Sequence, residues 1–320
     1  MSEKYTLDFE LPLKEIDDKI QLLLSTSSNT GIDVGDKIEE LRDQLTVKTE
    51  EVYNNLNRWQ VVQLARHPMR PHSSDYIKMI TDYWFEIHGD RLFFDDPSIM
   101  SGIATIEGVK FCIIAQEKGR NTKDKLYRNF GMPKPEGYRK ALRLMKLSEK
   151  FNIPILTLID TPGAYPGIGA EERGQSQAIA DNLINMSLLN VPIISLVIGE
   201  GASGGALAIG LSDRIICLEY SWYSVISPEG CASILFGDTE KNKEAAESLQ
   251  LTSKDLYDLN IADRIIDEPL GGIHHDPKTV YADLVNVIST EIKFLKNICK
   301  KDLLEQRMTK YNNMGVFSNE

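Results

Sequence analysis

The stretch Val191–Gly210, VPIISLVIGEGASGGALAIG, decides how the rest of the chain is read. Its apolar run, Pro192 to Ile198, has the length and β-branched content of a strand buried on both faces. The run ends in Gly199-Glu200-Gly201, and the chain passes Ser203-Gly204-Gly205 into a small-residue helix predicted over Ala206 to Leu211. Adjacent glycines where a strand becomes a helix leave backbone N–H groups unshielded by any Cβ. The first N–H groups of a helix also lack intrahelical partners and lie at its positive end. Such a turn suits an oxygen that gains negative charge during a reaction. The same glycines also permit close helix–strand packing, and this stretch by itself leaves both readings open.

Around this centre, strands and helices alternate. Ile103–Glu107 and Lys110–Ala115 straddle Gly108-Val109 and read as a hairpin. A helix follows over Pro135–Phe151, with Ala141, Leu142, Met145 and Leu147 directed inward, then a strand over Pro154–Asp160 and a helix over Glu171–Leu189. Beyond the central stretch come strands at Arg214–Leu218 and Tyr223–Ile226, and Ser227-Pro228 opens a helix with a cap residue and a proline at its first position. The alternation predicts an α/β architecture with a mainly parallel sheet covered by helices. A long C-terminal helix is predicted from Lys278 to about Arg307, with a loose tail over the last dozen residues.

Ahead of this core, Leu11–Leu56 reads as two helices separated by a polar break from Ser25 to Gly35. Ile16, Ile20 and Leu23 form one apolar stripe, and Ile38, Leu41, Leu45 and Val52 the other. Such an arm either covers the core of its own chain or serves subunit contact. Pro68 and Pro71 break the basic stretch Trp59–His72, and a short helix is predicted over Ser74–Ile87 before a turn at His88-Gly89-Asp90-Arg91. The expected division is an arm at 1–57, a core domain at 58–296, and a helix end and tail at 297–320.

The 320 residues are 42% hydrophobic and 26% charged, ordinary values for a chain with a real core. A net charge of -11 argues against a dedicated nucleic-acid binder. MSEKYTLDFE lacks the apolar core of a secretion signal, and no apolar run is long enough for a membrane span. Cys112, Cys217, Cys231 and Cys299 are too scattered for a zinc knuckle, so no metal site is expected in this chain, and a cytoplasmic location is the simplest one.

Asp160-Thr161-Pro162-Gly163-Ala164-Tyr165-Pro166-Gly167 follows a predicted buried strand, where open α/β sheets bind ligands. Its glycines and prolines make a stiff loop with exposed backbone. Gly167-x-Gly169 lacks the third glycine of a dinucleotide fingerprint, since Glu172 stands there, and the chain has no P-loop pattern. Gly201-x-Ser203-x-Gly205 matches a serine-hydrolase elbow, for which His67, His72, His88, His274 and His275 are the available bases. Lys118–Lys150 carries eleven Lys/Arg against Asp124, Glu136 and Glu149. Such a stretch attracts a phosphate-bearing ligand or an acidic partner. A solvated helix face accounts for Lys146 and Lys150, but less well for Lys118, Arg120 and Lys123 in a loop after a strand.

Several blocks together resemble one family. PGAYPGIGAEERGQ (Pro162–Gln175), RNFGMPKPEGYRKALRLM (Arg128–Met145), SGGALAIG (Ser203–Gly210), YSVISPEGCASIL (Tyr223–Leu235) and EPLGGIHHDP (Glu268–Pro277) are similar to the carboxyltransferase alpha subunits of multi-subunit bacterial and plastid acetyl-CoA carboxylase. RWQVVQLARHPMRP (Arg58–Pro71) and HGDR (His88–Arg91) look like the segment preceding them, and the resemblance runs from about Gly35 to the C-terminal helix. Ala202 stands where a glycine is common, Ala115-Gln116-Glu117 replaces a usual Gly-His-Gln, and Phe236-Gly237 a usual Trp-Lys.

The resemblance implies a crotonase-like (ClpP/crotonase) spiral of ββα units with a helical arm and a long C-terminal helix. It implies transfer of a carboxyl group from carboxybiotin on a separate carrier protein to acetyl-CoA, giving malonyl-CoA for fatty acid synthesis. The implied partners are a zinc-ribbon-bearing beta subunit in an alpha-two beta-two complex, the biotin carboxyl carrier protein, and a biotin carboxylase that alone uses ATP. No membrane and no nucleic acid is required, and the location is the cytoplasm or a plastid stroma. Gly204 and Gly205 are implied to hold the biotin ureido oxygen, with Gly163 and Gly167 on the opposite wall. Lys118, Arg120, Lys123 and Tyr165 are the expected substrate-binding residues. A stand-alone crotonase-type acyl-CoA hydratase or hydrolase, or a non-catalytic scaffold subunit, is the alternative.

Overall fold

A computed structural model describes residues 7–31 and 33–315. Eight strands form one sheet: β1 (Tyr83–Glu86), β2 (Ile99–Ile106), β3 (Val109–Gln116), β4 (Ile155–Thr161), β5 (Ile193–Ala202), β6 (Arg214–Leu218), β7 (Trp222–Ser224) and β8 (Arg264–Ile266). They run in the order β1-β2-β3-β4-β5-β6-β8, with β7 also paired to β5. The β1–β2 and β2–β3 pairs are antiparallel, and every pair from β3 onward is parallel. The mainly parallel sheet expected from the alternation is therefore present, with an antiparallel margin.

The side-chain period of two sends alternate residues of the central strands to opposite faces. Ile113, Ala115, Leu156, Leu158, Leu196 and Ile198 join one core, beneath helices Ser73–Ile80 and Pro277–Lys296. Cys112, Ile114, Ile155, Ile159, Ile193 and Val197 join the other, beneath helices Pro135–Lys150, Gln175–Leu188 and Ser203–Gly210. All ten residues of β5 are buried, because it has neighbours on both edges and helices on both faces.

Several predicted boundaries move, each for a local reason. The β2–β3 turn is Glu107-Gly108, one residue earlier than expected, with φ of +46° and +74°. A two-residue hairpin favours positive φ at both central positions. The segment predicted as helix from Glu171 to Leu189 divides at Gly174, whose φ is +81°, into Ile168–Glu172 and Gln175–Leu188. The predicted strand from Pro192 to Ile198 continues to Ala202, because β7 pairs with Glu200–Ala202. The helix after it begins at Ser203 rather than Ala206, which places both glycines in its first turn. The end of the segment predicted as helix over Ser74–Ile87 is instead the edge strand β1.

The arm is a helical hairpin, Leu11–Thr30 and Gly35–Tyr53, closed by Ile20, Ile38 and Leu41 with Ile16, Leu23 and Leu45 around them. Its break is shorter than expected. The hydroxyls of Ser25 and Thr26 donate to the Leu22 carbonyl at 2.8 Å, and that of Ser28 to the Leu24 carbonyl, so the polar segment stays helical. Leu13 and Tyr53 then pack with Leu64 and Tyr220, which seats the arm on the sheet domain.

The C-terminal helix is also two, Pro277–Lys296 and Lys300–Asn312. The second is held by Arg307, only 1% exposed, which donates to both carboxylate oxygens of Asp213 at 2.8 Å and to the carbonyls of Met186, Leu189 and Val191. Removing one partner of such a buried pair strands the other charge and typically costs about 3–5 kcal/mol. Arg307→Met is therefore expected to lower the urea midpoint of unfolding by a matching amount. A loss below ~1 kcal/mol would make this helix a loosely attached tail.

Candidate active site

Strands β3, β4 and β5 end at Gln116, Thr161 and Ala202, and the loops and helix start beyond these ends build the site. Helix Ser203–Gly210 starts behind Ala202, which has no side-chain oxygen to cap it, and no side-chain cap is made. Helices Arg58–Ala65, Pro228–Phe236 and Ser253–Asp258 are capped by Asn57, Ser227 and Thr252. The first N–H groups of this helix, those of Gly204 and Gly205 included, lack intrahelical partners by position; Gly204 is partly exposed and Gly205 is buried. Ser203 turns the chain from strand to helix with φ of +59°, a left-handed conformation uncommon outside glycine.

Gly205 lies against the loop after β4. A Cβ there would sit 2.5 Å from the Ala164 nitrogen and overlap the carbonyl carbon of Gly163. Gly163 has φ of +142°, and its N–H donates to Thr161 Oγ1 at 3.1 Å. Gly204 is less confined, since its Cβ would meet Ile179 Cδ1 at an ordinary 3.5 Å. The structure therefore brings Gly163, Gly204 and Gly205 together. Gly167 is placed elsewhere, as the residue before helix Ile168–Glu172, with the Tyr165 ring packed on it. Tyr165 braces its loop: its N–H donates to the Pro133 carbonyl at 3.0 Å, its carbonyl accepts from Gln175 Nε2 at 2.9 Å, and Lys134 Nζ lies 5.0 Å from its ring.

The cations expected to bind substrate divide into three situations. Lys118 Nζ is 2.7 Å from both Asp160 Oδ1 and Glu200 Oε1, so it serves a carboxylate pair inside the protein rather than standing free for a phosphate. Arg120 pairs with Asp75, and Lys123 is exposed. Around the carboxylates, Arg66 Nε reaches Glu200 at 2.8 Å and its Nη1 reaches Glu229 at 2.5 Å, while the Glu200 N–H donates to Asp160 Oδ1 at 3.0 Å. Burial opposes the Lys118 ammonium, but Asp160 and Glu200 outweigh it and raise its pKa. Burial likewise opposes the Glu200 carboxylate, and Lys118 and Arg66 outweigh it and lower its pKa.

Sequence reasoning missed Asp160, Glu200, Arg66 and Gln116 as site residues. The signal was available in part: charged or amide side chains at the ends of buried apolar runs need partners. What it could not supply was which partner, since Arg66 and Glu200 are 134 positions apart.

Two cavities adjoin these elements. An apolar one of about 370 Å³ includes Ser203, Gly204, Leu207, Tyr223, Val225 and Leu249 in its wall. A charged one of about 280 Å³ includes Arg66, His72, Lys118, Arg120, Asp160 and Glu200. Ser203 has an elbow-like backbone, but among the described residues no histidine is hydrogen-bonded to it. His67 stacks on His274 with ring centroids 4.0 Å apart, and burial followed by the Arg70 charge pushes its pKa down to about 4. His88 is bonded to Asp95. Among the described residues no group of three or more His, Cys, Asp or Glu is arranged to hold a metal ion, and no helix is long and apolar enough to cross a membrane.

Known proteins supply the context for this geometry. Residues 6–315 match the family described as acetyl co-enzyme A carboxylase carboxyltransferase-like. The acetyl-coenzyme A carboxylase carboxyl transferase subunit alpha of Xanthomonas oryzae pv. oryzae is 52% identical over 311 residues, 97% of this chain and 98% of that protein. Its counterpart from Flavobacterium johnsoniae is 51% identical over 312 residues, again 97% and 98%. Among solved structures, transcarboxylase 12S superposes with a TM-score of 0.53 at 22% identity, covering 65% of this chain and 41% of that one. The beta subunit of Pseudomonas aeruginosa geranyl-CoA carboxylase gives 0.56 at 16% identity, covering 83% and 47%. These likenesses establish the fold as crotonase-like α/β. On the match across nearly its whole length, the chain belongs to the acetyl-CoA carboxylase carboxyltransferase alpha-subunit family.

Proposed function

We propose that this chain is the alpha half of a carboxyltransferase that moves a carboxyl group from carboxybiotin to acetyl-CoA, and that Gly204 and Gly205 hold the biotin ureido oxygen. The observation that carries this reading is the uncapped helix start, with Gly205 in backbone contact with Gly163. Biotin, delivered on a separate carrier, supplies the transferable carboxyl group and a ureido nitrogen that can act as base. The chain's own part is electrostatic. Fixed N–H donors stabilise an oxygen as charge develops on it, without reorganising at the moment of reaction. The adjoining apolar cavity, with Leu207, Val225 and Leu249 in its wall, suits a small fused ring and an aliphatic arm.

The paired carboxylates favour transfer over stand-alone hydration or hydrolysis. A hydratase or hydrolase relying on these carboxylates would need one of them free to exchange a proton with substrate. Asp160 and Glu200 are both bonded to Lys118, and Glu200 also to Arg66. The remaining chemistry then falls to a beta subunit, with alpha-two beta-two as the expected assembly. A biotin carboxyl carrier protein and a biotin carboxylase complete the pathway, in the cytoplasm or a plastid. Lys123, exposed beside the Arg120–Asp75 pair, is the cation proposed to attract phosphates or an acidic carrier.

Four outcomes test this reading. Malonyl-CoA formation is expected only after mixing with a beta subunit, together with a faster-sedimenting species. Turnover by the purified chain alone would favour the hydratase or hydrolase alternative. Gly205→Ala, which forces the turn off the Gly163 loop, should cost on the order of 10²–10³ in kcat. Ser203→Ala should keep most of the activity and the wild type should resist a fluorophosphonate probe. An assembled Gly205→Ala enzyme of near-normal rate would refute the donor assignment. Lys123→Glu should lower kcat/KM several-fold at low salt, with the difference closing as salt screens the charge over about 10 Å at 0.1 M. A deficit independent of salt would count against electrostatic attraction.

A further inference from the structure

Glycine at 205 lets the turn pack against the Gly163–Ala164 backbone, but the glycine pair leaves it without side chains that could fix its position. Among the described residues a single side chain hydrogen-bonds to the backbone of Ser203–Gly205, and it is that of Gln116. Gln116 is fully buried at the end of β3. Its Nε2 donates to the Gly205 carbonyl at 2.7 Å, and its Oε1 accepts from the Asp160 N–H at 3.2 Å. A carbonyl only accepts and a backbone N–H only donates, so the amide can fit in one orientation. The same Asp160 is anchored by its Oδ1 to Lys118 and to the Glu200 N–H. The amide thus ties the turn after β5 to the fixed end of β4.

We infer that Gln116 is a positioning residue for the reaction: it holds Gly205 against the Gly163–Ala164 backbone, so that the turn's N–H groups point where charge develops. This rests on the donor reading of Gly204 and Gly205 proposed above. Gln116 touches no reacting atom, and its contribution is to the geometry of groups that do. A displacement of about 1 Å in a catalytic array can cost about 10²-fold in rate. The effect belongs in kcat, because the donors act most strongly on the transition state.

Three variants of the complex assembled with its beta subunit test this. Gln116→Glu keeps the shape and, when ionised, faces the Gly205 carbonyl with an oxygen that cannot donate, whereas its protonated form donates as the amide does, so its kcat should fall as pH rises. Gln116→Met removes both bonds without adding a charge, and serves if Gln116→Glu does not assemble. Gln116→His restores one donor and one acceptor, since a neutral imidazole offers both. The expected result is a fall of about 30- to 300-fold in kcat for Met, and for Glu once it is ionised. KM for acetyl-CoA should stay within about twofold, and His should recover most of the loss. An assembled Met variant with kcat within about threefold of wild type would overturn the inference. So would a loss carried by KM, or an assembled His variant no better than Met. Gly205→Ala separates the two levels. If it is active, the donor reading itself fails; if it is inactive while the Gln116 variants turn over normally, only the role of Gln116 falls.

Discussion

Two stretches of backbone meet without side chains between them, Gly205 from the helix after β5 and Gly163–Ala164 from the loop after β4. Much of the site follows from that approach. It requires a residue without Cβ at position 205, and it brings the ends of two adjacent parallel strands to a common edge. Open α/β sheets bind ligands at such edges because strand-end N–H groups and helix starts converge there. Here convergence is sharpened by Ser203, whose left-handed backbone lets the helix begin directly at the strand end. The helix start has no side-chain cap, as is also true of helices Gly35–Tyr53, Pro135–Lys150 and Gln175–Leu188.

A second constraint comes from charge. Asp160 and Glu200 stand at the ends of strands whose remaining residues are almost all apolar, so their ionised forms need partners. Lys118 bridges both, and Arg66 joins Glu200 to Glu229 on the next helix. A buried pair of this kind adds little net stability, yet breaking it is costly. Its value lies in specificity: it fixes β3, β4, β5 and the segment after helix Arg58–Ala65 in one arrangement. Arg70 repeats the device nearby, donating to the Ile198 carbonyl and to both oxygens of Glu268. The basic, proline-broken segment near residue 70 is therefore an internal clamp as much as an exposed surface.

The parts of this architecture legible in the sequence were those written in local periodicity. β6 falls at its predicted bounds, and the amphipathic helix from Pro135 ends within one residue of the expected position. The Ser227-Pro228 helix start was readable because the cap bonds three residues away, Ser227 Oγ accepting from Gly230. Elements stabilised by distant partners were not readable. β1 and β8 are three or four residues long and exist because β2 and β6 offer them edges. At the site, the glycine pair was visible as composition, whereas the fate of Lys118 was not. A lysine in a basic loop looks available for phosphate until folding brings Asp160 and Glu200 beside it. Tyr165 and Gly167 were singled out for the ligand, yet their visible role is to brace each other and the loop.

What the site lacks is as informative as what it holds. Open N–H donors adjoin an apolar cavity, but the carboxylates nearest the turn are committed to cations, and no histidine is bonded to Ser203 among the described residues. The carboxylates nearest the turn are thereby held as ion-pair partners. Carboxyl transfer suits that division, because the donor's ureido nitrogen, exposed when the carboxyl group leaves, is itself basic enough to take up the substrate proton. The protein then needs only to hold one oxygen firmly and exclude water around it, while a second surface steadies the other developing charge. Firmness is what the glycines cannot provide for themselves. It must come from neighbouring strands, through the Gln116 amide, which donates to the Gly205 carbonyl and accepts from the Asp160 backbone N–H, and so ties the turn after β5 to the end of β4.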